Sequence, residues 1–317
     1  FSPAWVDVDD DGWVDLVVAN DSTQNYLYIN KHDGTFEDIS YIAGLALNQD
    51  GRAQAGMGLA LGDYNLDGLL DIYMAHFSDD YNTLYRNQGD NFFLDVTYEA
   101  GLADDTIPFV SWGTAFLDYD NDGLQDLFLA NGHVYPAVDN HSWGTSWAQR
   151  PLLFKNVGRE RFQVVPAVLN SGLAVVVPGR GAGFGDLDND GRIDVVISCV
   201  DSPPKVLRNV TKSDNRWVVF QLVGGEGPPP AGIGATLFLT ADGRRQRRDV
   251  FTGGSFASHS DSRVHFGVGA AKVVERLEIR WPNGKRQTLL NLPTNKVIEI
   301  REMSPKVKVV KLRGGWK

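Results

Sequence analysis

The sequence predicts an all-β chain of repeated units followed by a smaller β domain, and three observations carry that reading. One acidic nonapeptide recurs four times, a short apolar run follows each copy, and the composition changes sharply near Asn215. The 317 residues contain no apolar run long enough to cross a membrane as a helix.

The nonapeptides start at residues 7, 63, 118 and 186, so the repeat recurs at intervals of 56, 55 and 68 residues. Each reads Asp-x-Asp/Asn-x-Asp-Gly-x-x-Asp. Side-chain oxygens stand at Asp7, Asp9, Asp11 and Asp15 in the first copy and at Asp63, Asn65, Asp67 and Asp71 in the second. The third offers Asp118, Asp120, Asp122 and Asp126, and the fourth Asp186, Asp188, Asp190 and Asp194. Alternate oxygens at positions 1, 3 and 5, a glycine at 6 for the sharp turn and a carboxylate at 9 suit a hard cation with oxygen ligands at about 2.3–2.6 Å. A backbone carbonyl at position 7, from Trp13, Leu69, Leu124 or Arg192, completes the set. The pattern therefore points to calcium, up to four ions per chain. An EF-hand would need an acid at position 12 between two helices, where this chain has Val18, Met74, Leu129 and Ile197 ahead of apolar, partly β-branched runs. Isolated Asp-Gly turns are the simpler alternative, and the fourfold repetition of the same oxygen positions argues against it. Only Asn65 among these positions is not a carboxylate. Four bound Ca²⁺ would bring the formal charge of −10 to about −2.

The elements follow from the loops. A small, Gly-rich strand precedes each one, at 2–6, 56–62, 112–117 and 181–185, and an apolar strand follows it, at 16–19, 72–75, 127–130 and 195–198. A third strand ends each time in Asn, at Asn30, Asn87, Asn156 and Asn209. A fourth strand closes the first three units, at 36–39, 91–97 and 161–165. Four antiparallel strands per unit, repeated, read as β-propeller blades.

The run Gly183-Phe-Gly-Asp-Leu-Asp-Asn-Asp-Gly-Arg-Ile-Asp194 and its three counterparts resemble the FG-GAP or VCBS repeat of integrin α-chain propellers and related bacterial surface proteins. The resemblance covers residues 1–214 and implies calcium on a hairpin between the first two strands of each blade. It also implies a larger propeller of about seven blades, of which four are counted here; the chain is read as a fragment that starts on a blade's first strand.

Residues 1–215 carry 12 basic against 32 acidic side chains, and residues 216–317 carry 18 against 8. After the change come strands at 217–223, 235–239, 247–251, 263–266, 274–281 and 296–300, separated by turns at Gly224-Gly225, Pro228–Pro230, Asp242-Gly243 and Pro282-Asn-Gly284. Gly232-Ile-Gly-Ala235, Gly253-Gly-Ser-Phe-Ala-Ser-His-Ser-Asp261, His265-Phe-Gly-Val-Gly269 and Trp281-Pro-Asn-Gly284, in that order, resemble the ASPIC/UnbV domain of the cartilage acidic protein family. This domain is expected over 215–301, with a basic tail over 302–317. The resemblance implies an extracellular or surface calcium-binding protein without an agreed enzymatic activity.

Millimolar calcium sites fit an extracellular, cell-surface or periplasmic setting. Cys199 sits in an apolar strand and reads as a buried small hydrophobe. The third repeat carries extra length over 131–150, where His133, Tyr135, His141, Trp143, Trp147 and Arg150 form a candidate surface for a protein or carbohydrate ligand; the alternative is local packing. The two histidines match no compact zinc spacing. Ser255, Ser258, His259, Ser260, Asp261 and His265 contain the residue types of a hydrolase triad, but no Gly-x-Ser-x-Gly elbow accompanies them, and turn bonding is the better reading. No catalytic residue is therefore assigned. The competing function is a propeller-type polysaccharide hydrolase or lyase, which would need acids outside the loops; Asp79, Asp80, Asp104 and Asp105 are the obvious pairs and read as exposed turns. The cluster Arg244, Arg245, Arg247 and Arg248 and the tail lysines fit acidic glycans or the acidic blades, and the acidic propeller disfavours nucleic acid.

Overall fold

The computed structural model describes residues 1–225 and 231–310. The expected turn at Pro228–Pro230 and the tail residues Lys311, Arg313 and Lys317 lie outside the described residues. Four antiparallel meander sheets occupy the first two thirds of the chain. The first comprises β1 (Ser2–Val6), β2 (Asp15–Ala19), β3 (Tyr26–Asn30) and β4 (Phe36–Asp38). The second comprises β5 (Leu59–Gly62), β6 (Asp71–Met74), β7 (Thr83–Asn87) and β8 (Phe93–Asp95). β9 (Ser111–Leu117), β10 (Asp126–Asn131), β11 (Leu152–Asn156) and β12 (Phe162–Val164) form the third, and β13 (Gly179–Gly185), β14 (Asp194–Cys199) and β15 (Lys205–Leu207) the fourth. Each acidic nonapeptide is the hairpin between the first two strands of its sheet, with Val6 opposite Asp15, Gly62 opposite Asp71, Leu117 opposite Asp126 and Gly185 opposite Asp194.

The sheets stack in chain order with a separate core between each pair. In β10, Leu127 and Leu129 face the second sheet with Tyr73 and Leu84, while Phe128 and Ala130 face the fourth with Phe184 and Ile197. Burial on both faces explains why β6 and β10 are unbroken apolar runs and not alternating ones. Among the described residues the sheets form an open series and no closed ring, so the expected number of about seven blades is not read from the structure. The outer face of the first sheet carries half-exposed Trp5 and Phe36, packed edge to face at 5.8 Å.

The C-terminal part is a two-sheet sandwich. One sheet orders β20 (Val264–Gly269), β16 (Arg216–Val223), β23 (Lys296–Arg301) and β24 (Val307–Val309); the other orders β18 (Arg244–Asp249), β17 (Thr236–Ala241), β21 (Val273–Arg280) and β22 (Arg286–Pro293). Val218, Phe220 and Ile298 of the first meet Leu237, Leu277 and Ile279 of the second in one core. The strands differ from the expected set in three places. The strand placed at 247–251 runs from 244 to 249, because Asp242-Gly243 closes a tight hairpin directly before it. β22 was not expected; its burial phase breaks at Asn291, whose φ is 55°, while its pairing with β21 keeps one register throughout. Within the basic tail, residues 307–309 form an edge strand antiparallel to β23.

The segment from Phe251 to Asp261 leaves the sandwich and runs between the inner strands of the repeat sheets. Its strand β19 (Thr252–Gly253) pairs with β1, and Ser255 exchanges backbone hydrogen bonds with Leu59 of β5. Phe256 packs edge to face on Trp112 of β9 at 4.7 Å, and the Asp261 N–H donates to Phe184 O of β13 at 2.9 Å. The Gly-rich first strands admit close neighbours: a Cβ on Gly181 would meet Phe256 O of this segment at 2.6 Å, and one on Gly113 would meet Ala182 N of β13 at 2.3 Å.

Candidate metal centres

The four hairpins are built to one plan. Position 4 takes a left-handed conformation, with φ of 63° at Asp10, 65° at Leu66, 62° at Asn121 and 59° at Asn189. Position 6 follows at 94°, 88°, 89° and 86° in Gly12, Gly68, Gly123 and Gly191, where a glycine is the only unstrained choice. This turn points successive backbone N–H groups inward. The position 6 N–H donates to the first aspartate, at 2.9 Å from Gly12 to Asp7, 3.1 Å from Gly68 to Asp63, and 2.8 Å from Gly123 to Asp118 and from Gly191 to Asp186. The position 7 N–H donates to the position 5 carboxylate, at 2.7 Å from Trp13 to Asp11 and 3.0 Å from Arg192 to Asp190.

Position 9 is braced from two sides. Asp126 accepts from the N–H of Tyr119 at 3.1 Å and from that of Asn156 at 2.8 Å, and Asp15, Asp71 and Asp194 repeat the pair. The asparagine that ends each third strand thus holds the ninth ligand position through its backbone. Its side chain does more in the later repeats. Asn87 Nδ2 donates to Val8 O of the first loop, Asn156 Nδ2 to Tyr64 O of the second and Asn209 Nδ2 to Tyr119 O of the third. Each amide ties its own sheet to the preceding loop. The recurring Asn was visible in the sequence; this role was not.

The carboxylates converge. Oxygens of Asp7, Asp9 and Asp15, of Asp118, Asp120 and Asp122, and of Asp186, Asp188 and Asp194 lie within 4.8 Å of one another in each set, so three groups could hold a metal ion. In the second loop Asn65 replaces an acid and donates to Asp67 at 2.8 Å, while the buried Asp63 Oδ1 has no hydrogen-bond partner among the described residues. Burial, reinforced by neighbouring acids, pushes Asp7, Asp63 and Asp186 up to about 6, Asp15 and Asp118 to about 7 and Asp126 to about 9, with Asp71 raised as well. Groups shifted in this direction gain from compensating positive charge, which favours their ionised form. Basic side chains supply part of it: Lys155 reaches Asp120 and Asp122, and Arg208 reaches Asp188 at 2.6 Å. The hard oxygen donors, their inward N–H braces and the orphaned Asp63 oxygen fit calcium.

The six residues of the 131–150 insertion separate into two groups. His133 is buried and accepts at Nδ1 from the Tyr135 N–H, while the half-buried Trp147 and Arg150 lie against Arg180 and Phe109. Tyr135, His141 and Trp143 are exposed; the His141 and Trp143 rings stack at 4.2 Å, with Trp143 65% exposed. In the Ser/His cluster, Ser255 Oγ donates to Ala182 O at 2.7 Å and Ser260 Oγ accepts from Phe184 N. Asp79, Asp104 and Asp105 are exposed, whereas Asp80 is half-buried and accepts from the Ala55 N–H. Cys199 is half-buried at the end of β14. The basic cluster resolves toward the blades: Arg247, 1% exposed, reaches Asp10 and Gly68 O.

Comparison with known proteins agrees with the repeat and the C-terminal sandwich. The FG-GAP-like repeat model matches residues 7–74 and 63–129, and the ASPIC and UnbV model matches residues 225–307. Cartilage acidic protein 1 of Homo sapiens is 28% identical over 296 residues, covering 90% of this chain and 42% of that protein. The Xenopus tropicalis protein of the same name is 28% identical over 280 residues, covering 86% of this chain and 40% of its own. The chain therefore spans about two fifths of the length of these curated relatives. Among solved structures, an Agrocybe aegerita lectin described as recognising non-reducing terminal N-acetylglucosamine aligns with a TM-score of 0.36 at 19% identity, over 66% of this chain and 52% of its own. The Photorhabdus luminescens Tc holotoxin pore aligns at 0.30 and 14%, over 87% of this chain and 12% of its own. Likenesses this low carry no argument about fold or ligand.

Proposed function

We propose that this chain, which carries FG-GAP-like repeats and an ASPIC/UnbV domain and is similar to cartilage acidic protein 1, is a non-enzymatic extracellular, cell-surface or periplasmic binding scaffold stabilised by up to four calcium ions. The supporting observation is the shared construction of the four hairpins, in which buried acids are held by inward N–H groups at matching positions. Bound calcium would supply charge neutralisation and a rigid hairpin, not Lewis-acid chemistry. The chain's own residues do the rest: the first and ninth aspartates hold their oxygens in place, and the asparagine amides join neighbouring hairpins. The four sheets are read as blades of a larger propeller of about seven.

The exposed His141–Trp143 stack and Tyr135 present an aromatic face suited to a sugar ring or a peptide side chain. Isothermal titration tests the metal reading, with three to four Ca²⁺ per chain expected from the hairpin count. A stoichiometry of zero or one refutes it. A polysaccharide panel assayed for binding and for product release separates a scaffold from a hydrolase or lyase; calcium-dependent retention without turnover is expected, and sustained product release refutes the scaffold.

A further inference from the structure

We infer that the C-terminal sandwich completes the metal hairpins from behind, through positioning residues that bind loop groups calcium does not use, so that calcium binding and sandwich docking reinforce each other. The inference rests on the calcium reading above.

The sandwich touches all four hairpins. Arg247 spans the first two: its guanidinium lies 3.0 Å from Asp10 Oδ1 and donates to Gly68 O at 2.9 Å. At the third, Arg244 donates to Asp122 O at 2.6 Å and the Gly269 N–H to Asn121 O at 2.9 Å. At the fourth, Arg263 donates to Asn189 Oδ1 at 2.6 Å and to Asp186 O at 2.8 Å. His265 Nε2 stands 3.0 Å from Gly191 O, which as a carbonyl can only accept, so the proton sits on Nε2. Asp10, Asn121 and Asn189 are the fourth residues of their loops, between two ligand positions, and their left-handed backbones turn these groups outward.

The contacts hold the turn that brings the ligands together. Position 4 and the glycine at position 6 are the two unusual backbone conformations of the hairpin, and the sandwich bonds at one or both in every copy. Fixing them before the ion arrives removes ordering entropy from binding. Positive charge beside a cation site would work against this, and two of the arginines are neutralised locally. Arg247 is held by Asp249 at 2.9 Å and Arg263 by Asp261 at 2.6 Å. The third and fourth hairpins are also joined directly, Asn121 Nδ2 donating to Gly191 O at 3.0 Å. By linkage, what the sandwich does for calcium affinity calcium must do for docking.

The test uses the full chain with every ligand residue intact. Calcium titration of Arg263→Gln is expected to show one site weakened about tenfold, a typical linkage factor, with Arg263→Lys recovering part of the loss. Arg244→Gln, at a more exposed side chain, is the second variant should the first fail to fold, and is expected to weaken the third hairpin in the same way. In the wild-type chain, calcium is expected to slow hydrogen exchange of amides in 251–261 and 264–269, and Arg263→Gln to diminish that protection. Wild-type calcium affinity in the variants, together with exchange indifferent to calcium, overturns the inference while leaving calcium binding intact. A wild-type chain that binds no calcium overturns the functional reading itself, and the inference with it.

Discussion

Replacing Asn156 by alanine isolates the contact that joins one hairpin to the next. The side chain is 1% exposed; its amide donates to Tyr64 O at 2.8 Å and to Gln125 O at 3.1 Å, and its oxygen accepts from the Gly158 N–H at 2.9 Å. Truncation removes three hydrogen bonds and leaves two carbonyls without this donor. At about 1 kcal/mol per net bond, with a further penalty for buried groups left unpaired, the expected loss is roughly 3–4 kcal/mol. That corresponds to a fall in melting temperature of roughly 6–16 °C, since about 1 kcal/mol moves a domain of this size by 2–4 °C. Asn30 is the internal control, because its amide reaches only Val14 O of its own hairpin, at an exposed position. Asn30→Ala is expected to cost about 1 kcal/mol or less. Differential scanning calorimetry in saturating calcium reads both variants. Equal shifts would refute the inter-hairpin clamp, since both variants lose the same local Asx turn.

Asp122→Ala should lower the calcium stoichiometry by one without altering the remaining sites; an unchanged stoichiometry removes the third hairpin from the metal set. Gly191→Ala and Gly12→Ala both place a side chain at φ near +90°, a cost of about 1–2 kcal/mol. Only at Gly191 does the new Cβ strike a neighbour, the Trp217 ring at 1.9 Å, so chemical denaturation should rank Gly191→Ala well below Gly12→Ala, and equal midpoints would deny that docking. His76 is buried and its pKa is lowered to about 3 by burial, so the fold holds it neutral. Its contribution is present above the unfolded pKa near 6.5 and is lost as pH falls toward 3, about 1.4 kcal/mol per pH unit. His76→Gln should therefore flatten the loss of stability between pH 6.5 and 4.5 in urea titrations, and an unchanged slope contradicts the assignment. Trp143→Ala should leave the melting point within about 1 °C, as expected at an exposed site, while weakening any carbohydrate or peptide retained on a column; retention unchanged would clear the insertion of a binding role.

The hairpins and their flanking strands were legible because the same oxygen spacing recurs residue by residue in four copies. A strand covered on both faces is equally visible as an unbroken apolar run, as in Leu127-Phe-Leu-Ala130. What escaped the sequence is long-range. The Gly253–Asp261 run is mostly Gly, Ser and other turn residues, and nothing local says that it lies along β1, β5 and β13. Arg244–Arg248 looked like surface charge, yet Arg247 is buried because the hairpin turn at Asp242-Gly243 aims alternate side chains at the acidic loops. In the insertion, His133 and Trp143 are alike on paper. Only the fold buries the first beside Phe77 and leaves the second stacked on His141 in solvent.

Thermal unfolding in millimolar Ca²⁺ against EGTA, with Mg²⁺ as the control ion, tests structural calcium most directly. Ligand that binds only the native state at one hundred times its dissociation constant adds about 2.7 kcal/mol per site. The hairpins built around Asp7, Asp118 and Asp186 should therefore give a large rise in melting temperature with Ca²⁺ and little with Mg²⁺. Identical unfolding curves in Ca²⁺ and EGTA would mean that the acidic hairpins are metal-free turns, and would contradict the account.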